Sequence, residues 1–191
     1  MEFVCQNIPD ILTIEPKLYC DERGYFVETY RQDKLEDVLG YRVNFIQDNE
    51  SKSYKGVLRG LHFQLPPYAQ SKLVRVIEGA VLDVAVDIRR GSPNFGQHIA
   101  IELSSVNKKQ MFIPRGFAHG FLVLSDTATF AYKVDNFYSL ECDRGLAFDD
   151  IDLNIDWKLN KQELLVSDKD SQHPRLKDLK DFFEYNDNHY E

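Results

Sequence analysis

Short runs of β-type residues recur along this chain at near-regular spacing, each closed by Gly, Pro, Asn or Asp. Strands are predicted over 25–30, 44–51, 72–78, 81–88, 98–103, 110–113, 118–124 and 128–134. The 72–88 segment reads as a hairpin about Gly79, and Ser125-Asp126 as a turn leading back into the strand at 128–134. Helix signals are brief: Asp33 as an N-cap with Glu36 three residues on, a stop at Gly40, and two short stretches at 161–165 and 175–183. Residues 186–191 read as a frayed tail. Such a pattern specifies an all-β sandwich or barrel with a few short peripheral helices. With no repeat, linker or low-complexity tract, residues 1–191 form one domain.

Composition narrows what such a barrel can do. Aromatic content is 13%, with ten Tyr and thirteen Phe against two Met, which suits sheet. Net charge is −8, which argues against a nucleic-acid surface and obliges any anionic ligand to find a local basic cluster. Cys5, Cys20 and Cys142 are odd in number and scattered, so reduced thiols are expected. The start at Met1–Cys5 lacks the order of a signal peptide, and no apolar run approaches the ~20 residues of a membrane span. A cytoplasmic protein with no membrane partner is the expectation.

The chemistry concentrates in Gly56-Val-Leu-Arg-Gly-Leu-His-Phe-Gln64, followed by Lys72. Strict alternation would send His62 to one face and Arg59, Leu61 and Phe63 to the other. A bulge at Gly60 would bring Arg59 and His62 to the same side. The plainer alternative is an edge strand with a solvated Arg and a hydrogen-bonded His. In the later strands, parity places Phe117, His119, Phe121 and Val123 together, Phe130 with Tyr132 and Val134, and Asp83 with Val81 and Ala85.

A metal-binding barrel favours a His-x-His pair with further carboxylate or imidazole ligands. Here Gln64 occupies the second position and Lys72 stands where another ligand would be sought, so metal binding is disfavoured. Proton handling fits better. His62 has the intrinsic pKa of a general base near neutrality, Lys72 can stabilise an oxyanion, and Tyr132 can donate a proton. Tyr132 is equally readable as a core aromatic with a satisfied hydroxyl, and Asp168 and Asp170 as a solvated charge cluster.

Five motifs in order carry a family resemblance: Asp21-Glu-Arg-Gly-Tyr-Phe, Phe45-Ile-Gln-Asp-Asn, the Gly56–Gln64 stretch, Pro114-Arg-Gly-Phe-Ala-His-Gly-Phe, and Tyr132-Lys-Val. Together they resemble the dTDP-4-dehydrorhamnose 3,5-epimerase family. The resemblance implies a cupin-type β-barrel (jelly roll), a homodimer, no metal or other cofactor, and a nucleotide-linked 4-ketosugar as substrate. It implies that His62 is the base, Tyr132 the acid, Asp170 the group orienting His62, and Lys72 the cation facing the enolate oxygen. It also assigns Arg23, Glu28, Gln47, Asp48, Asn49, Arg59, His119 and Lys169 to substrate contacts. Asp143 joins them, although Glu is expected there, and Glu50 stands where His is frequent. Asp83 is expected to brace His119. A sibling enzyme acting at one carbon or shifting the ketone would keep His62 and Lys72. A cupin that only binds sugar would need neither a His62–Asp170 pair nor Tyr132, and a metal-dependent oxygenase is disfavoured by Gln64.

Overall fold

The computed structural model describes residues 1–190. Strands β1 (Glu2–Cys5), β2 (Leu12–Glu15), β3 (Leu18–Asp21) and β4 (Gly24–Val27) precede helix α1 (Gln32–Leu39). The main body follows as β5 (Gln47–Tyr54), β6 (Val57–Gln64), β7 (Lys72–Glu78), β8 (Ala80–Asp87), β9 (Arg89–Arg90) and β10 (His98–Ser104). It continues through β11 (Gln110–Ile113), β12 (Phe117–Val123), β13 (Thr127–Val134) and β14 (Asp143–Gly145). After these come β15 (Leu165–Val166), helix α2 (Asp168–Ser171) and β16 (Phe183–Glu184).

Two sheets face one another. One runs β1-β2-β11-β7-β13-β5 and the other β10-β8-β12-β6-β14, with β15 added in parallel to β6. The period of two along each strand gives every sheet an inner and an outer face. Val74, Val76, Val81, Ala85, Ile113, Phe117, Phe121, Val123 and Phe130 meet in the inner layer. Leu58, Leu61, Phe63, Leu82, Val84, Val86, Ala118 and Leu122 turn outward and are covered by Leu146, Phe148, Trp157, Leu179 and Phe183 from the C-terminal third. Trp157 anchors that cover, its indole N–H donating to the Phe148 carbonyl at 2.8 Å. On the far side, Leu35 of α1 packs with Leu12, Ile14, Leu73 and Phe112. The result is the expected all-β jelly-roll with few short helices.

Several local expectations are corrected. β7 and β8 are not a hairpin. The chain changes sheets at Gly79, so β7 pairs with β11 and β13 while β8 pairs with β10 and β12. The turn at Ser125-Asp126 likewise carries the chain from one sheet to the other. Changing sheets lets consecutive strands bury their apolar faces in the same interior from opposite sides. The strand predicted over 44–51 starts later, at Gln47, and its polar residues open it rather than close it. Helix α1 begins before Asp33, whose carboxylate pairs with Arg31 instead of capping, although Gly40 does end it in the left-handed conformation. Only single 3-10 turns form within 161–165 and 175–183. The tail is packed through residue 190: the Tyr190 ring lies 4.4 Å from that of Tyr41 and its hydroxyl bonds Ser71 Oγ at 2.8 Å. Residue 191 of the predicted tail lies outside the described residues. Cys5, Cys20 and Cys142 are free thiols. No helix among the described residues is long and apolar enough to cross a membrane.

Candidate active site

A bulge sets the site. Opposite β12, His62 pairs with His119 and Arg59 with Phe121, so two residues of β6 stand against Gly120 alone. Gly60, at φ +125°, supplies the conformation, and a Cβ on it would lie 2.6 Å from Gly120 Cα. The extra residue leaves Leu58 and Leu61 on the outer, buried face while Arg59 and His62 both line an interior cavity of ≈ 480 Å³. Lys72 of β7, His119 of β12, Tyr132 of β13 and Asp170 of α2 line the same cavity. The sheets therefore contribute opposite walls: His62 and His119 stand on one, Lys72 and Tyr132 on the other.

Helix α2 delivers the carboxylate. Ser167 caps it, accepting the Asp170 N–H on Oγ at 3.1 Å. Asp170 Oδ1 lies 2.7 Å from His62 Nε2, and Oδ2 accepts the Gly60 N–H at 3.1 Å. Burial alone would raise the Asp170 carboxyl. The His173 and His62 rings, the charge available to His62 and the Gly60 N–H outweigh it and hold the group far below the usual carboxylate range. An ionised Asp170 only accepts, so His62 Nε2 carries the proton and Nδ1 keeps its lone pair.

The second imidazole has a matching partner: His119 Nε2 donates to Asp83 Oδ1 at 2.8 Å, with Asp83 fully buried. Burial pulls His119 below its ordinary 6.5, against the Asp83 carboxylate, so its imidazole is neutral at pH 7. Burial lowers Lys72 to about 8, opposed by Asp83 and Asp143, which leaves it mainly an ammonium at neutrality. Burial raises the Tyr132 hydroxyl above 10, against Arg59, and keeps it protonated. The cavity thus holds an oriented imidazole, a cation and a phenol.

Arg59 bonds Ser53 Oγ through Nε and NH2 at 3.2 and 3.1 Å, and no carboxylate among the described residues pairs with it. Its charge is available for an anion. Lys169 lies at the cavity edge but is paired with Asp143, which also accepts the Tyr138 hydroxyl at 3.2 Å. Gln47 and Asn49 bond each other at 2.8 Å on the strand beside Tyr132. Asp48, one residue out of phase, points to the outer face and pairs with Lys133 at 2.8 Å. Arg23 and Glu28 are also away from the cavity. Arg23 sits on the β3–β4 hairpin beside Asp21, and Glu28 between Arg31 and Lys34.

One residue at the site had not been singled out. His173 lies edge-on to His62, with ring centroids 5.6 Å apart, and its Nε2 comes within 3.5 Å of Asp170 Oδ1. Its place three residues after Asp170, across one helical turn, is the sequence signal that could have found it.

Known proteins resemble this chain along nearly its whole length. The profile of the dTDP-4-dehydrorhamnose 3,5-epimerase family matches residues 5–178. The chain is 52% identical over 183 residues to the dTDP-4-dehydrorhamnose 3,5-epimerase of Shigella flexneri, covering 96% of this chain and 99% of that one. A crystal structure of the enzyme from Elizabethkingia anophelis superposes with a TM-score of 0.90 at 50% identity, over 93% of this chain and 97% of that one. That of the Legionella pneumophila dTDP-6-deoxy-D-glucose-3,5-epimerase, in complex with dTDP-4-keto-L-rhamnose, superposes with a TM-score of 0.93 at 45% identity, over 97% and 99% of the two chains. The fold is the cupin-type barrel of these enzymes, and the chain belongs to the dTDP-4-dehydrorhamnose 3,5-epimerase family.

Proposed function

We propose that the cavity epimerises carbons 3 and 5 of dTDP-4-dehydro-6-deoxy-D-glucose, giving dTDP-4-dehydro-L-rhamnose in dTDP-L-rhamnose biosynthesis. Both carbons flank the ketone, so either proton becomes acidic once the resulting anion delocalises onto the carbonyl oxygen. His62, its Nε2 proton held by Asp170, removes each proton through Nδ1. Lys72 supplies the charge that stabilises the enolate, while His119, whose one ring proton goes to Asp83, offers an acceptor nitrogen to a substrate hydroxyl, with no metal or other cofactor in the scheme. Tyr132 returns a proton from the far side. The observation that carries this reading is the placement of His62 with Asp170 on one wall of the cavity and Tyr132 on the other. Inversion requires that separation, because a single group would return the proton to the face it came from.

Arg59 is free to grip the pyrophosphate. Arg23 serves the same end from a second copy of the chain. Its hairpin projects Tyr19, Tyr25 and Phe26, which are 55%, 55% and 68% exposed, so the arm has apolar surface to bury on a partner. The working form is a homodimer with completed sites, acting in the cytoplasm on a small nucleotide sugar.

The direct test is solvent-deuterium incorporation followed separately at carbons 3 and 5. Wild-type protein is expected to exchange and invert both. His62→Asn is expected to lose ~10²–10⁴-fold at both carbons with the fold retained. Exchange surviving at either carbon in that variant would falsify a single shared base, and exchange at only one carbon in the wild type would mark a single-carbon epimerase.

A further inference from the structure

The His62–Asp170 pair has a third neighbour that takes no part in the proposed proton transfers. His173 Nε2 is buried, and the polar atom it faces, Asp170 Oδ1 at 3.5 Å, acts on it as a charge but stands too far for a good hydrogen bond. A buried polar atom in that condition calls for an explanation. The ring is also held in place: it packs on Gly145, where a Cβ would fall 2.2 Å from that same Nε2. Gly145 stands opposite His62 in the β14–β6 ladder, so the ladder itself sets the two imidazoles side by side.

We propose that His62 Nε2, Asp170 Oδ1 and His173 Nε2 form a binding site for a Zn²⁺-type transition-metal ion, and that its occupation silences the catalytic base. The three donor atoms lie within 4.8 Å of one another. A tetrahedral ion at ~2.0–2.1 Å from each ligand needs donors roughly 3.3 Å apart, so small side-chain rotations suffice. Two imidazoles and one carboxylate suit Zn²⁺, Co²⁺, Ni²⁺ or Cu²⁺ and not the oxygen-seeking Mg²⁺ or Ca²⁺. Asp170 is already oriented by the Gly60 N–H on its other oxygen, the kind of supporting bond that ligating carboxylates need. The fourth position faces the cavity, because His62 is the exposed member of the three, with its side chain 32% accessible against 11% for His173 and 6% for Asp170. The ion would take the Nε2 lone pair of a neutral imidazole, so the ring proton moves from Nε2 to Nδ1, and acid weakens binding by protonating the ligands. With the ion on Nε2 and the proton on Nδ1, His62 has no lone pair left to accept a substrate proton, and turnover stops.

The loss of activity rests on His62 acting as the base, whereas binding itself does not, and the two are read separately. Chelator-treated, dialysed protein is titrated with Co²⁺ alone and with Zn²⁺ alone. One equivalent of Co²⁺ is expected to give the strong visible bands of a low-coordinate ion, and Zn²⁺ to displace it. In the wild type, Zn²⁺ is also expected to shift the ring resonances of His62 and His173 and leave those of His98 and His189 in place. Zn²⁺ should inhibit the enzyme reversibly, with activity restored by chelator. His173→Gln and His173→Leu, each measured against its own metal-free rate, should require at least ~10-fold more Zn²⁺ for the same fractional inhibition. Equal Zn²⁺ sensitivity in these variants, Co²⁺ bands that survive the loss of His173, or His173 resonances unmoved by Zn²⁺ would each overturn the site.

Discussion

Gly60 and Gly120 face each other across β6 and β12 with room for a side chain on neither. A Cβ on Gly60 would fall 2.6 Å from Gly120 Cα, and one on Gly120 2.6 Å from the Arg59 carbonyl oxygen. Gly60→Ala therefore adds backbone strain at φ +125° to a clash with backbone, and neither can relax by a rotamer change. We expect a loss of stability of about 1–3 kcal/mol in chemical denaturation. Activity should fall well beyond the unfolded fraction, because Gly60 also holds Asp170 Oδ2 and sets the facing of Arg59 and His62. A variant of near-native stability and activity would show that the bulge does not place the base.

Lys72 gives the pH dependence its sign. Burial lowers its pKa from 10.5 to about 8, against the pull of Asp83 and Asp143. Below pH 8 the ammonium is charged in the folded and unfolded chain alike, and the full cost of burying it is present. Between about 8 and 10.5 the unfolded chain holds a proton that the folded one has lost, so this group's contribution to stability rises with pH. Denaturation midpoints followed across that window should show a rising component in the wild type that is missing in Lys72→Met. Activity should run the opposite way, with kcat/KM falling above pH 8 as the enolate loses its cation. Lys72→Arg, charged throughout, should lack that alkaline limb even if its rate is reduced. A limb of unchanged position in Lys72→Arg would assign it to another group.

Arg23 tests the proposed dimer. If it completes a partner's cavity, Arg23→Ala and His62→Asn fail in different halves of the same site. Each variant alone should be weak or dead. Mixed and allowed to exchange subunits, half of the dimers would pair one variant with the other, and each of these would contain one intact site. Activity should then recover to roughly a quarter of wild type. No recovery on mixing, with exchange verified by mass, would place Arg23 in its own subunit's site or in none.

The sequence made the inner face of each strand readable and left the pairing of strands hidden. Asp83, His119 and Tyr132 fall where their parity sends them, since alternation is a local property. The supposed hairpin at Gly79 shows the limit. β7 and β8 each carry the alternation of a paired strand, and nothing local says that their partners lie in different sheets. Asp48 stands on the outer face of its strand although its motif neighbours Gln47 and Asn49 do not, because a strand turns every second residue outward. His173 was missed for a different reason. Its significance depends on Gly145, which has no side chain, and on a carboxylate that the sequence alone leaves readable as solvated. The packed tail was hidden in the same way, because Tyr190 is held by Ser71 and Tyr41, more than a hundred residues away.

Tyr132→Phe separates the acid from the base. The substitution removes only a hydroxyl and keeps the ring that packs against Phe130 at 6.0 Å. His62, Asp170 and Lys72 stay in place, so the enolate should still form and solvent deuterium should still enter the sugar. Without the phenol, protonation comes mostly from the side of His62 and restores the starting configuration. Net inversion should thus fall far more than exchange, by ~10²-fold or more where Tyr132 is the only acid on its face. The effect is expected to be greatest at carbon 5, since the two carbons need not depend on the phenol equally. The raised pKa of the hydroxyl keeps it protonated across the neutral range, so Tyr132 should add no alkaline limb to the wild-type profile below its ordinary 10.0. Equal losses of exchange and inversion in Tyr132→Phe would mean that the hydroxyl binds or positions the ketosugar, and that the proton returns from another group on the β7–β13 wall.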